Sequence, residues 1–230
     1  TPTGYLTTVL DNQGNQTATL VASGSNRKYV TINEIPINLQ HAFVAIEDER
    51  FYDHNGIDLQ GILRAGLKGV ASGFHFSEGA STITQQLLKN TVFTQWTSEQ
   101  SMADKFERKF QEQYLALQLE KVVDKDWILE NYLNAINLGQ NTLGVGVASE
   151  RYFGKDVSDL TLSECAVLAA ITQSPSYYNP ITHPDHNKER RQKVLNNMLD
   201  QGYISQNEYD EAVADNVYDR IQVVNVESQD

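Results

Sequence analysis

The chain has 230 residues, a length that suits one large globular domain or two small ones. Hydrophobic residues make up 40% of it, which excludes an intrinsically disordered chain, and no run approaches the ~20 apolar residues that cross a bilayer as a helix. The net charge of −12 argues against a nucleic-acid partner, because nonspecific nucleic-acid binding requires a basic surface.

Two short β-prone runs open the chain. Residues 5–10 and 18–22 are rich in threonine, valine and leucine, and residues 11–15 between them have the composition of a hairpin turn. We therefore predict a β lead-in over residues 1–34.

From Pro36 onward the hydrophobic pattern becomes helical, and no β-α-β alternation or internal repeat is present. Cys165 lies in one of the apolar runs, which predicts a buried and unreactive thiol. The predicted fold class is mainly α, with helices over residues 39–49, 59–70, 81–89, 106–123, 127–138, 145–152, 163–172 and 187–201.

The densest group of ionisable residues follows the apolar run 42–46 and covers residues 47–56, Glu-Asp-Glu-Arg-Phe-Tyr-Asp-His-Asn-Gly. A carboxylate at the end of an apolar helix, partly removed from water, is suited to act as a general base. An exposed helix end that carries ordinary surface charge explains the same composition.

A second group covers residues 79–90. If this stretch is a helix, Ser81, Gln85 and Lys89 are four residues apart and line one face, with Thr82 and Gln86 beside them. Hydroxyls, amides and an ammonium near a helix N-terminus suit a phosphate or sugar ligand. A solvated helix face is the alternative.

A third group lies on the long helix predicted over residues 106–123. Arg108 and Glu112 are four residues apart and share a face, and Lys109 is adjacent. Such a pair is commonly a surface ion pair of little energetic consequence, but it is also compatible with a second catalytic carboxylate held beside cations.

These three groups, in this order, resemble the motifs of peptidoglycan glycosyltransferases (glycosyltransferase family 51). This family comprises the polymerising domains of class A penicillin-binding proteins and the monofunctional transglycosylases. The resemblance spans about residues 35–205 and continues C-terminally in residues 128–134 with Gly139, Gly144 and 152–155, and in residues 175–180 with Arg190 and Arg191.

The resemblance implies a lysozyme-like helical fold over residues 35–205, with a large lobe and a smaller membrane-facing jaw at roughly 66–105. It also implies a membrane anchor before Thr1, and an acidic segment over 206–230 that leads toward a transpeptidase domain. The expected location is the extracytoplasmic face of the bacterial plasma membrane.

The resemblance further implies that the substrates are lipid II and a growing lipid-linked glycan. Glu47 is then the general base that deprotonates the acceptor 4-hydroxyl, and Glu112 assists departure of the diphosphate. The resemblance leaves open a divalent cation, Mg²⁺ or Mn²⁺, at the diphosphate and does not fix whether one is needed. The substrate-binding residues carried over by matching position are Asp48, Phe51, His54, Ser81, Thr82, Gln85, Gln86, Lys89, Arg108, Lys109, Asn134, Tyr178 and Asn179.

The sequence departs from the family pattern around the expected phosphate site. The connector over residues 90–107 is longer than usual, Gln100 replaces a frequent arginine, and Gln111 stands where some members have a lysine. Both glutamines remove positive charge, so Lys105, Arg108 and Lys109 are expected to compensate.

Two other functions use the same residues. A lysozyme-like muramidase would use Glu47 as a general acid to cleave glycan, but it has little use for the polar stripe over residues 81–89. A non-catalytic scaffold that binds glycan or cell-wall partners would not need both Glu47 and Glu112.

Overall fold

The computed structural model of the chain describes residues 7–10, 16–20, 28–71, 81–92, 102–140 and 142–222. Within these ranges the secondary structure is mainly helical, as the sequence predicts. No helix among the described residues is long and apolar enough to cross a membrane.

The N-terminal hairpin is present. Strand β1 (Thr7–Leu10) pairs antiparallel with β2 (Gln16–Leu20), with Thr7 opposite Leu20 and an irregular register between Val9 and Leu10. The predicted turn over residues 11–15 lies outside the described residues.

The helices follow in chain order, and two 3₁₀ turns lie at Val157–Asp159 and Val217–Arg220. They are α1 (Ile37–Glu47), α2 (Leu59–Ala71), α3 (Ile83–Thr91), α4 (Met102–Leu119), α5 (Lys125–Ala135), α6 (Val145–Phe153), α7 (Leu162–Ala170), α8 (Pro184–Asp200) and α9 (Gln206–Ala214).

The chain divides into two compact units. The first contains residues 1–46 and 136–230, and its core is built around α7, which packs against α6, α8 and α9. All residues of α7 from Ser163 to Ala170 are buried, and Cys165 is a free buried thiol, as predicted. Burial raises the pKa of the Cys165 thiol and keeps it in its unreactive form.

The second unit contains residues 47–135. Helix α3 packs against both α4 and α5, and its residues Ile83, Leu87 and Leu88 are buried in that contact region. Because α3 carries the second polar group of the sequence and α4 carries the third, this packing brings those two groups together.

Several elements differ from the predicted ones, and three of the differences have a local cause in the sequence. Helix α3 begins at Ile83 instead of Ser81, because Thr82 accepts a hydrogen bond from the backbone N–H of Gln85 and caps the helix. Helix α8 begins at Pro184, the first-turn position that proline favours. Helix α9 was not predicted, although Ser205 and Glu208 form a capping box at its start.

Two predicted segments lie largely outside the description. Residues 72–80 and 93–101 are not described, so the jaw expected at roughly 66–105 stays a prediction. The same holds for the structure of the long connector up to Met102, where α4 begins, and for the position of Gln100.

Candidate active site

Glu47 is the last residue of α1. Phe43, Val44 and Ala45 of the same helix are buried. The Glu47 side chain is partly buried, and Gln86 Nε2 on α3 donates a hydrogen bond to Glu47 Oε2 at 3.0 Å. The first and second polar groups of the sequence therefore meet at this pair.

The loop after Glu47 is tied to the start of α3. Asp48 is buried, and its carboxylate accepts the backbone N–H of Ile83 at 2.9 Å. The Thr82 hydroxyl donates to the carbonyl oxygen of Gly56 at 2.7 Å, and the Gln85 side chain accepts the Thr82 N–H at 3.0 Å. The backbone N–H groups of Thr82 and Ile83 are thus satisfied within the protein.

His54 and Phe51 stabilise the same loop from inside. The Gly56 N–H donates to His54 Nδ1 at 3.1 Å, so the ring proton lies on Nε2, which faces the Asp48 carboxylate at 2.9 and 3.0 Å. Phe51 is fully buried, and the Lys125 ammonium lies 4.5 Å from its ring centroid.

Glu112 on α4 is the centre of a cationic and amide cluster. Its carboxylate is 2% exposed, and Oε1 accepts from Lys109 Nζ at 2.7 Å and from Gln85 Nε2 at 3.2 Å. Arg108 Nη1 lies 3.6 Å from Oε2. Lys109 Nζ also donates to Ser81 Oγ at 2.7 Å, so one ammonium joins the polar segment before α3 to the buried carboxylate.

A pocket opens beside Glu47 within the second unit. Arg50 is held there by Asp58, whose carboxylate accepts from Arg50 Nε at 3.0 Å. Hydrogen bonding to Arg50 outweighs burial and lowers the pKa of Asp58, so this carboxylate stays ionised. The lining residues are Glu47, Asp48, Glu49, Arg50, Asp58, Gly61, Arg64, Ala65, Ser81 and Thr82.

Most of the residues expected to bind substrate lie in the second unit. Lys89 is exposed on the last turn of α3, whereas Asn134 is buried and donates to the Glu130 carbonyl oxygen at 2.8 Å. Those grouped around Glu47 and Glu112 are Asp48, Phe51, His54, Ser81, Thr82, Gln85, Gln86, Arg108 and Lys109.

Tyr178 and Asn179 belong to the first unit. Asn179 is buried, and its Oδ1 accepts the backbone N–H of Ile181 at 2.8 Å. The Arg190 guanidinium lies 4.9 Å from the Tyr178 ring centroid. Their expected place on the acceptor side stays a prediction.

Sequence reasoning missed two residues that support this arrangement. The Tyr132 hydroxyl on α5 donates to Gln86 Oε1 at 3.2 Å, and Lys125 Nζ donates to the His54 carbonyl oxygen at 2.7 Å. Tyr132 repeats with Ile128 and Leu129 in an apolar helical pattern, which indicates a core residue and gives no sign of its polar contact.

The described residues do not build a protein cage for a divalent cation. Mg²⁺ and Mn²⁺ prefer several oxygen ligands, but the groups on Glu112 are an ammonium, a guanidinium and an amide nitrogen. In the described part of the chain no group of three His, Cys, Asp or Glu side chains has metal-binding geometry. No chemical step below is therefore assigned to a metal.

Comparisons with known proteins agree with the motifs. A family model described as Transglycosylase matches residues 13–199. Over 201 residues the chain is 48% identical to penicillin-binding protein 1F of Bacillus subtilis, covering 87% of this chain and 27% of that protein. Over 182 residues it is 46% identical to penicillin-binding protein 1A of Escherichia coli, covering 79% of this chain and 20% of that protein.

A solved structure shares the fold. The crystal structure of penicillin-binding protein 1A from Haemophilus influenzae matches 97% of this chain and 22% of that chain, with a TM-score of 0.54 and 24% sequence identity. The chain spans 27% and 30% of the length of two curated relatives that it matches. The chain belongs to the transglycosylase family and is a peptidoglycan glycosyltransferase domain of the kind found in class A penicillin-binding proteins.

Proposed function

We propose that the chain polymerises lipid II into β-1,4-linked glycan strands. The acceptor 4-hydroxyl attacks the anomeric carbon of the lipid-linked donor with inversion, and undecaprenyl diphosphate leaves. The observation that carries this proposal is the cluster on Glu112, where an ammonium 2.7 Å from both Ser81 Oγ and Glu112 Oε1 forms a site for developing phosphate charge.

Glu47 is the general base in this proposal. Its position at the end of an apolar helix and its contact with the Gln86 amide are suited to holding a carboxylate in one orientation beside a substrate hydroxyl. As the nucleophilic oxygen forms the new glycosidic bond, its proton passes to Glu47. The bond from the anomeric carbon to the diphosphate oxygen breaks, and the electron pair leaves with the diphosphate.

Lys109 and Arg108 stabilise the leaving diphosphate, and Glu112 holds them. A buried carboxylate fixes the two cations in direction and limits their loss of rotamer freedom on binding. Side chains carry this role because the backbone donors at the start of α3 already bond Asp48 and Thr82. Ser81, Gln85 and exposed Lys89 complete the donor-binding set.

The remaining parts of the proposal follow from the family pattern. Tyr178 and Asn179 line the acceptor side. A jaw over roughly 66–105 faces the membrane, because a substrate with a polyprenyl chain must enter from a lipid surface. The full-length protein carries a transpeptidase domain and acts at the extracytoplasmic face of the bacterial plasma membrane.

A muramidase is disfavoured by the surroundings of Glu112. A glycoside hydrolase needs two carboxylates that reach the scissile bond or its attacking water. Glu112 is 2% exposed and already accepts from Lys109 and Gln85, so its oxygens serve the cations. A scaffold would have no use for two cations held on a buried carboxylate in this way.

The test is polymerisation of purified lipid-linked disaccharide-pentapeptide in detergent, with products resolved on a gel. Wild type is expected to give a ladder and Glu47→Gln none. Glu107→Gln is the matched control, since Glu107 is exposed on α4, and it should polymerise as wild type does. Cleavage of preformed glycan by wild type would refute the polymerase in favour of the muramidase. Binding of lipid II without turnover would favour the scaffold.

A further inference from the structure

We propose that Tyr132 is a positioning residue for Glu47 and acts through the side chain of Gln86. The inference rests on the proposed function, in which Glu47 is the base. It adds a residue of α5 that does not touch the substrate but sets the orientation of a group that does.

The three side chains form a chain of hydrogen bonds from Tyr132 on α5, through Gln86 on α3, to Glu47. Tyr132 is fully buried on α5, and its hydroxyl donates to Gln86 Oε1 at 3.2 Å. The other end of the same amide, Nε2, donates to Glu47 Oε2 at 3.0 Å. Helix α3, which carries Gln86, packs directly on α5, so the position of the hydroxyl is set by the core.

The amide has a polarity that this arrangement selects. An ionised Glu47 can only accept hydrogen bonds and cannot donate them, so it pairs with the NH₂ end of the Gln86 amide. The Tyr132 hydroxyl donates to the oxygen end of that amide and keeps the Gln86 side chain within hydrogen-bond distance of Glu47. A flipped amide would place its oxygen against a carboxylate oxygen, and the hydrogen bond that orients the base would be lost. The carboxylate therefore sets the polarity of the amide, and the hydroxyl, as donor to Gln86 Oε1, anchors the amide in that orientation.

The bond engages Oε2 and restricts rotation of the carboxylate, so the direction of Oε1 is fixed as well. Proton transfer depends steeply on this geometry, because the base must be within hydrogen-bond reach of the acceptor hydroxyl. Without the Tyr132 hydroxyl, Gln86 has fewer restraints and the carboxylate samples more orientations. Turnover should fall more than substrate affinity, because the proposed donor-binding set of Ser81, Gln85, Lys89, Arg108 and Lys109 is unchanged.

The test compares Tyr132→Phe with a matched variant. Tyr152 in the other unit is also fully buried, and its hydroxyl donates to the Leu138 carbonyl oxygen at 2.6 Å. Tyr152→Phe thus loses a buried tyrosine hydroxyl bond that has no link to Glu47. The kcat and KM for lipid II are measured for both variants, for Gln86→Ala and for the double variant Gln86→Ala with Tyr132→Phe.

We expect Tyr132→Phe to lower kcat about 5- to 10-fold, the size of one lost neutral hydrogen bond, with KM within about 2-fold of wild type. In the Gln86→Ala background the same substitution should change kcat less than about 2-fold, because the hydrogen bond from Gln86 to Glu47 is already absent. Tyr152→Phe should keep the wild-type kcat.

Three results would overturn the inference: a wild-type kcat for Tyr132→Phe, an effect of equal size with and without Gln86, or an equal loss in Tyr152→Phe. Urea unfolding midpoints of wild type, Tyr132→Phe, Gln86→Ala and the double variant test the Tyr132–Gln86 contact without turnover. If the midpoint shifts of the two single variants simply add in the double variant, the inference is also overturned. An inactive wild type with coupled midpoints would instead refute the proposed function, so the two failures are distinguishable.

Discussion

The Asp48 carboxylate and the His54 imidazole face each other inside the protein, with His54 Nε2 2.9 and 3.0 Å from the two carboxylate oxygens. Asp48 also accepts the backbone N–H of Ile83. The residue next to the proposed base therefore joins the loop over 48–56 to the start of α3, and it aligns the helix that presents Gln86.

Asp48→Asn should unfold at lower urea concentration than wild type. If the amide oxygen keeps the bond from Ile83, the NH₂ group takes the place of Oδ1, 3.0 Å from the protonated His54 Nε2, so a donor faces a donor and the charged acceptor is lost. We expect a loss of about 2 kcal/mol in unfolding free energy, typical of hydrogen bonds to a charged group. Asp53→Asn, an exposed acid on the same loop, is the control and should unfold like wild type. Equal midpoints for the two variants would contradict this role.

The sequence was sufficient to predict the helical fold and the proximity of the three polar groups. It was not sufficient to predict the exact contacts among them. The order of the motifs predicted that residues 47–56, 79–90 and 108–112 act together, and α3 brings them together. The spacing of Ser81, Gln85 and Lys89 predicted that all three lie on one helical face. Because Thr82 is the N-cap of α3, the helix begins only at Ile83 and Ser81 lies before it.

The unpredicted features depend on contacts between segments that are distant in sequence. Tyr132 meets Gln86 only because α3 packs on α5, and no local pattern records that packing. By contrast, helix α9 carried a local signal in Ser205 and Glu208, which the acidic composition of the C-terminal segment obscured.

Gly56→Ala should destabilise the loop that carries His54. Gly56 has a φ of +93°, and a Cβ there would lie 2.6 Å from the Ala116 carbonyl oxygen on α4. Backbone strain of about 1–3 kcal/mol is expected from the positive φ alone, and the clash adds to it. Urea unfolding measures the loss.

Two other glycines separate the causes of that loss. Gly202 has a φ of +76° but open space around it, so Gly202→Ala should show the strain without the clash. Gly66 lies within α2 with no neighbour within 4 Å, and Gly66→Ala should be neutral or stabilising by about 0.5–1 kcal/mol. If Gly56→Ala and Gly202→Ala lower the urea unfolding midpoint equally, the backbone at Ala116 moves away from the new Cβ without a loss of stability.

Lys109→Ala should slow polymerisation about 100-fold, because it removes the ammonium that bridges Ser81 and Glu112. Removal of one preorganised donor to developing negative charge commonly costs a factor of this order. The measurement is kcat/KM for lipid II at fixed detergent and salt. Lys121→Ala removes an exposed lysine just beyond α4 and should keep the wild-type value. An equal loss in both variants would mean that general surface charge, and not this cluster, drives the rate.

Stability should depend on pH through Glu164 in the first unit. Its buried carboxylate accepts from Lys155 Nζ at 2.8 Å and from Arg220 Nε at 3.1 Å. Burial raises the pKa of Glu164, but the bonds from Lys155, the Thr161 backbone and Arg220 outweigh burial and hold that pKa below its ordinary value of 4.5.

Since the unfolded chain binds this proton at higher pH than the folded chain does, the stabilisation from Glu164 is complete above about pH 4.5 and is lost as pH falls through the lowered folded-state pKa. Glu164→Gln should therefore unfold about 2 kcal/mol more easily than wild type at pH 7, and this gap should narrow toward pH 3. Urea midpoints at intervals between pH 3 and pH 7 measure the gap. The control is Glu189→Gln, which changes an exposed carboxylate on α8 and should leave the pH dependence of the midpoint unchanged. A gap that stays constant over that range would mean that the Glu164 proton is not linked to folding.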